Sequence, residues 1–193
     1  MNLLAHLWLA ERTGTSAAGQ ILGDLVKGRL DHTPFDAEIS RGIRLHRTID
    51  STSDAHPAHR ALRERFRPPL RRYAGIIVDI GFDHALACDW RHYSSEPLEQ
   101  FAARAARRVV DEWPTTTSFQ PPPVGGFSAM LTGYAEAPGI ERALTVVGRR
   151  ATRRNPLSGS LDAVLAEYPG FAARLPELLA SLEAALDHHL RRT

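Results

Sequence analysis

His46 and Asp50 stand four residues apart, and Asp79 and Asp83 repeat that spacing. Residues at i and i+4 of a helix share a face, with Cβ atoms roughly 5–6 Å apart. Each pair can therefore aim two metal-type ligands at one point. Ile43, Leu45 and Ile49 flank the first pair, and Ile76, Ile77, Ile80 and Phe82 flank the second, so both pairs are expected to point inward. Buried carboxylates and imidazoles are costly unless paired or bound to a metal. The combination predicts a metal-dependent hydrolase built inside a helical bundle. His6, Asp24 and His84 also fall within apolar helical patterns and extend the set. Each has an ordinary reading taken singly: a satisfied core histidine, a surface acid, an exposed imidazole. Their joint occurrence on several helices favours one site.

The donor types select the metal. Carboxylates with one or two imidazoles and no thiolate suit Mn²⁺ or Mg²⁺ better than a structural zinc site. Cys88 is the single cysteine, which excludes an internal disulfide. A bound metal of this kind polarises a phosphoryl oxygen and lowers the pKa of its water. A histidine outside the coordination sphere can then move a proton. The chain has no GxxxxGK[ST] loop, no GxSxG elbow and no HExxH pair, so nucleophilic-serine and Cys/His chemistry have no support in the sequence.

The elements that position these residues read as helices. A chain of 193 residues fits one domain, spanning 1–193. No segment alternates apolar and polar residues up to a hairpin turn, so the fold class is all-α, a helical bundle. Helices are expected over Leu3–Ala10, over 16–28 with Gly28 as a C-terminal cap, from Asp36 through Asp50, and over an arginine-rich stretch after Pro57. A long apolar helix from about Leu70 to His92 follows, then one over Pro97–Trp113. Pro114–Gly126 reads as a loop or lid. Helical pattern returns at Phe127–Tyr134, Gly139–Arg150 and from Leu161 onward, with Pro156, Pro169 and Pro176 as boundaries. No apolar run approaches the roughly 20 residues that span a bilayer. The start carries His6 and Glu11 and lacks a basic leader pattern. The expectation is a soluble, cytoplasmic protein with no membrane contact.

The net charge is +2, and Lys27 is the only lysine among 24 basic residues. Arg60, Arg63, Arg67 and Arg71 recur at helical spacing, with Arg65 and Arg72 beside them. They form a positive ridge unless Pro68-Pro69 breaks it. Such a ridge attracts an acidic partner or nucleic acid; a solvated helix face is the ordinary alternative.

Four ordered blocks resemble one family. Asn2-x-Leu4-Ala5-His6-Leu7-x-Leu9-Ala10, Gly23-Asp24-Leu25-Val26-Lys27-Gly28, Gly42-Ile43-x-x-His46-Arg47-x-Ile49-Asp50 and Asp79-x-x-x-Asp83-His84-x-Leu86-Ala87 are similar to the acyl carrier protein phosphodiesterases. The likeness runs from Met1 to about Trp90, and more faintly to Arg154. It implies an all-helical, Mn²⁺- or Mg²⁺-dependent hydrolase distantly akin to HD-domain phosphohydrolases. It also implies the reaction, cleavage of the phosphodiester joining 4′-phosphopantetheine to holo-acyl carrier protein. On this reading Asp24, His46, Asp50 and Asp83 supply metal ligands, and Asp79 ligates or orients a histidine. His6 and His84 are acid/base candidates or additional ligands. Arg47, Arg63, Arg67, Arg149, Arg150 and Arg153 are candidates for holding the phosphate or the acidic partner. Two rivals remain: an HD-like phosphohydrolase of small nucleotides, and a non-catalytic arginine-rich helical module that binds nucleic acid.

Overall fold

The computed structural model describes residues 1–31, 33–150 and 155–191. These contain α-helices and no strand, so the all-α expectation holds. In chain order the helices are α1 (Leu3–Arg12), α2 (Ala17–Leu25), α3 (Ala37–Ala55), α4 (Pro57–Arg63), α5 (Ala74–Cys88), α6 (Leu98–Asp111), α7 (Val124–Gly133), α8 (Ala137–Arg150), α9 (Leu161–Ala166) and α10 (Tyr168–Leu190). Among the described residues no helix is long and apolar enough to cross a membrane.

The core is built around α5. Ile77, Val78, Ile80, Phe82, Ala85 and Leu86 have no exposed surface, and α1, α4, α8 and α10 all pack on this helix. A helix that is apolar on every side is one covered on every side. Its polar exceptions are therefore informative. Asp83 is fully buried and its carboxylate accepts the backbone N–H groups of Leu4 at 2.7 Å, Asn2 at 3.2 Å and Ala5 at 3.4 Å. The first N–H groups of a helix have no partner within it, and a carboxylate also complements the positive end of the helix dipole. Asp83 thus docks the start of α1 onto α5 and orients the helix that carries His6.

Helices α2 and α3 approach one another through glycine. A methyl group at Gly19 would lie 2.8 Å from both the Gly42 Cα and the Ile39 carbonyl oxygen, below any real contact distance. Only hydrogen at these positions lets the backbones come this close, and the closeness sets Asp24 beside His46. The starts of both helices are capped by side chains: the Ser16 hydroxyl accepts the Gly19 N–H at 2.9 Å, and the Asp36 carboxylate accepts that of Ile39 at 2.8 Å.

Several expected boundaries move. Helix α2 stops at Leu25 with Val26 as its C-cap, so Gly28 lies beyond the helix and does not cap it, and α7 begins at Val124, inside the expected 114–126 loop. The 70–92 helix is shorter, because 3₁₀ turns at Leu70–Tyr73 and Trp90–His92 flank α5. Pro176 lies inside α10 rather than at its end. The lost backbone bond is offset by burial of Leu175, Leu178, Leu179 and Leu182 along the same helix. The arginine ridge does not lie on one helix, since α4 ends at Arg63 before Pro68-Pro69. Folding reassembles part of it: Arg60, Arg63 and Arg71 line one small depression of about 220 Å³.

Gly19→Ala should lower stability by about 1–3 kcal/mol, because the added methyl meets backbone that cannot yield. A thermal melt reads this as a fall of roughly 2–4 °C per kcal/mol for a chain of this size. An unchanged melting temperature would show that the two helices are not in close contact.

Candidate active site

Helix α3 presents His46, Asp50 and Asp54 at successive i+4 positions, and all three line a cavity of about 1070 Å³. His6 from α1, Asp24 from α2 and Asp79 from α5 line the same cavity. The two imidazoles of His6 and His46 stack with ring centroids 4.2 Å apart. Asp50 reaches both, with His46 Nε2 at 3.0 Å and His6 Nε2 at 3.1 Å, and Asp24 lies 3.4 Å from His46 Nε2. One ligand atom each from His6, His46 and Asp50 fall within 4.8 Å of one another, close enough for a single cation to take all three.

The sequence permits this geometry at Gly23. A methyl group there would sit 2.2 Å from the His46 Cγ, so only glycine lets the imidazole lie against α2. Behind His6, the Gln20 side chain approaches Nδ1 at 3.0 Å and leaves Nε2 directed at Asp50. His46 has no such support: its Nδ1 is buried without a partner.

Electrostatics mark the cluster as a place that demands positive charge. Burial alone would depress the His46 pKa, yet its bonds to Asp24 and Asp50 overcome this and raise it to about 9. The same contacts hold Asp50 and Asp24 below the ordinary carboxylate range against the opposing effect of burial. His6, buried beside a second imidazole, is pushed down by desolvation. A proton on His46 therefore balances these carboxylates, and a divalent cation on the same donors would compete with that proton. The donor set of two imidazoles and two carboxylates fits such an ion.

A second polar group adjoins the first. Asp79 accepts from the Met1 ammonium at 2.8 Å and lies 3.0 Å from Nε2 of the fully buried His59, with Asp54 3.9 Å from the same nitrogen. Burial would raise the Asp79 pKa, but the ammonium and His59 hold it low. Asp54, His59 and Gln20 were not singled out in the sequence. Asp54 continues the His46/Asp50 spacing by one more step and could have been found that way. His59 sits on a separate short helix and carries no spacing signal.

Other expected residues lie elsewhere. Asp83, expected as a metal ligand, spends its oxygens on α1 backbone N–H groups and does not line the cavity. His84, expected near the chemistry, points the other way: its Nδ1 donates to the Tyr134 carbonyl at 2.7 Å and its ring meets Tyr168. Arg47, expected on the substrate, donates to the carbonyls of Gly28 at 2.8 Å and Val26 at 2.9 Å and so braces the chain after α2. Arg63, Arg67 and Arg149 are exposed and away from the cluster. The Arg150 side chain and Arg153 lie outside the described residues.

The comparisons with known proteins agree on one family. The family model described as "Acyl carrier protein phosphodiesterase" matches residues 1–182. Relatives of that name from Shigella boydii and Escherichia coli are 30% identical over 195 residues, covering 97% of this chain and 98% of their own. One from Klebsiella pneumoniae is 34% identical over 167 residues, 83% of this chain and 84% of its own. No solved structure matches.

In metal-free protein, NMR titration of His46 should give a pKa near 9. Asp50→Asn should lower it by at least about one unit. Because the folded value lies above the unfolded one, this pairing stabilises fully below pH 6.5 and is lost as pH rises through about 9. Melting temperatures of the metal-free protein should fall across that window, and Asp50→Asn should flatten the fall. A His46 that titrates near 6.5 would refute the arrangement.

Proposed function

The chain belongs to the acyl carrier protein phosphodiesterase family, and on that premise we propose that it hydrolyses the phosphodiester joining 4′-phosphopantetheine to the serine of holo-acyl carrier protein. The reaction is metal-dependent and its products are apo-acyl carrier protein and 4′-phosphopantetheine. The observation that carries this reading is the convergence of His6, His46 and Asp50 within 4.8 Å at the wall of a large cavity. His6, His46, Asp50 and Asp24 would hold Mn²⁺ or Mg²⁺. When bound, the metal supplies Lewis-acid polarisation of a phosphoryl oxygen and a water of lowered pKa.

The chain's own residues do the rest. Gln20 fixes which nitrogen of His6 faces the site, as outer partners of ligating histidines do. Asp79, ionised and facing the cavity, accepts a proton from the attacking water, with His59 behind it to share the charge. Water adds to phosphorus, the bond from phosphorus to the serine oxygen breaks, and that oxygen takes a proton from solvent to leave as the serine hydroxyl, while Asp79 returns the proton it accepted to solvent. Arg60, Arg63 and Arg71, grouped around one depression, and the exposed Arg67 offer a positive face to an acidic carrier protein. Contacts of this exposed kind chiefly govern encounter and specificity.

The test is mass detection of 4′-phosphopantetheine released from holo-acyl carrier protein. Wild-type activity should require Mn²⁺ or Mg²⁺ and vanish with chelator. Asp50→Ala and His46→Ala should each lower kcat/KM by roughly 10²–10⁴-fold while retaining the helical circular dichroism spectrum. Arg60→Glu with Arg63→Glu should raise KM and leave kcat within about twofold. Turnover of small nucleotides in preference to the carrier protein would overturn the substrate assignment.

A further inference from the structure

Gly139, Arg142, Ala143, Val146 and Val147 fall on one face of α8, and all five line the cavity that also holds the polar cluster. Ala129 and Met130 of α7 extend this wall. It is apolar except for Arg142, which is the one arginine or lysine lining the cavity among the described residues. Arg142 is exposed, and no hydrogen bond or ion pair engages it among the described residues. This guanidinium sits in an apolar stripe of the cavity that Asp24, Asp50, Asp54 and Asp79 also line, and it has no partner among the described residues. Guanidinium groups match phosphate oxygens in a two-pronged geometry.

The cluster is also reached from a second side. Asp24, His46 and Asp50 line a smaller depression of about 360 Å³, bordered by Lys27 and Arg47. A phosphodiester has two substituents, and the two spaces differ in what they admit. A folded carrier protein cannot enter a cavity of about 1070 Å³, which is at the upper end of the roughly 300–1,000 Å³ of small-molecule sites. The serine side must approach from outside, and the flexible arm must occupy the cavity. Two of the large hydrophobic residues left exposed, Leu25 at 37% and Val146 at 47%, line that cavity. Exposed apolar surface in a concavity marks a ligand contact.

We propose that the α7–α8 wall, with Leu25 of α2, is the seat of the released 4′-phosphopantetheine: Arg142 pairs with its phosphate, while Met130, Ala143, Val146, Val147 and Leu25 hold its branched amide arm. This inference rests on the phosphodiesterase reading above. It makes Arg142 and Val146 separable determinants of product binding, one for the anion and one for the arm.

The experiment is calorimetric titration of Mn²⁺-loaded wild type, Arg142→Gln and Val146→Asn with 4′-phosphopantetheine and, separately, inorganic phosphate. Both positions are exposed, so both variants should keep the wild-type melting temperature within a few degrees. Arg142→Gln should weaken both ligands by roughly 10–100-fold. Val146→Asn, which brings no charge beside Arg142, should weaken 4′-phosphopantetheine by a similar factor and leave phosphate within about twofold. Failure of the wild type to bind 4′-phosphopantetheine, or wild-type affinity in both variants, would overturn the proposal. A wild type that binds it in this pattern but releases none from holo-acyl carrier protein would sink the phosphodiesterase reading instead, leaving the subsite standing. The two failures are therefore distinguishable.

Discussion

One buried carboxylate holds the site in register. Asp83 lies in the apolar centre of α5 and takes three backbone N–H groups from the start of α1. Without it, those donors would be buried and unpaired, at roughly 1–3 kcal/mol each. The arrangement is not free: burial pushes the Asp83 pKa up to about 7, despite the opposing Met1 ammonium and the N–H donors. Because this value lies above the unfolded one, holding Asp83 ionised above neutral pH works against stability. The gain is positional. α1 is locked along α5, and His6 is thereby stacked on His46 of α3.

A second constraint works on the opposite side of that stack. Glycines at 19, 23 and 42 let α2 sit so close to α3 that the His46 ring rests on backbone rather than on a side chain. Asp24 then reaches His46 although it is largely exposed. Close packing and charge pairing thus converge on the same imidazole. Hydrogen bonds to Asp24 and Asp50 raise the His46 pKa to about 9, which favours positive charge where a divalent ion would sit. Such a site trades a proton for a metal, which links its occupancy to pH.

Much of this was legible in the residues. The helical periods and the His46/Asp50 pair are local features, and each appears where spacing placed it. The misplacements share a cause. Asp79 and Asp83 share a face by spacing, yet one meets an ammonium and His59, and the other meets a helix terminus from a distant segment. Capping across tertiary structure leaves no trace in local periodicity. His84, one residue on, turns about 100° around the helix and finds the Tyr134 carbonyl. Arg47 is likewise taken by two backbone carbonyls that no motif announces. His59 is invisible for the converse reason, since its partner Asp79 comes from another helix.

The geometry of α3 explains why metal-type donors and an acid–base pair can share one wall. Steps of four residues advance about 6 Å along a helix and turn about 40° past a full circle, because the period is 3.6. His46, Asp50 and Asp54 therefore form a slowly winding stripe rather than a cluster. Its first end meets His6 and Asp24, which converge on one point. Its last end, two turns on, meets His59 and Asp79 from α4 and α5. Asp50 belongs to the first group, and Asp54 to the second. A single helix is thus the spine that fixes the separation between the place where a cation is wanted and the place where a proton can go. Because that separation is set by backbone hydrogen bonds and not by a loop, it is insensitive to the Pro- and Thr-rich stretch at 114–123. That stretch precedes α7 and the apolar wall, so changes in it can reshape the arm's side of the cavity without disturbing the stripe.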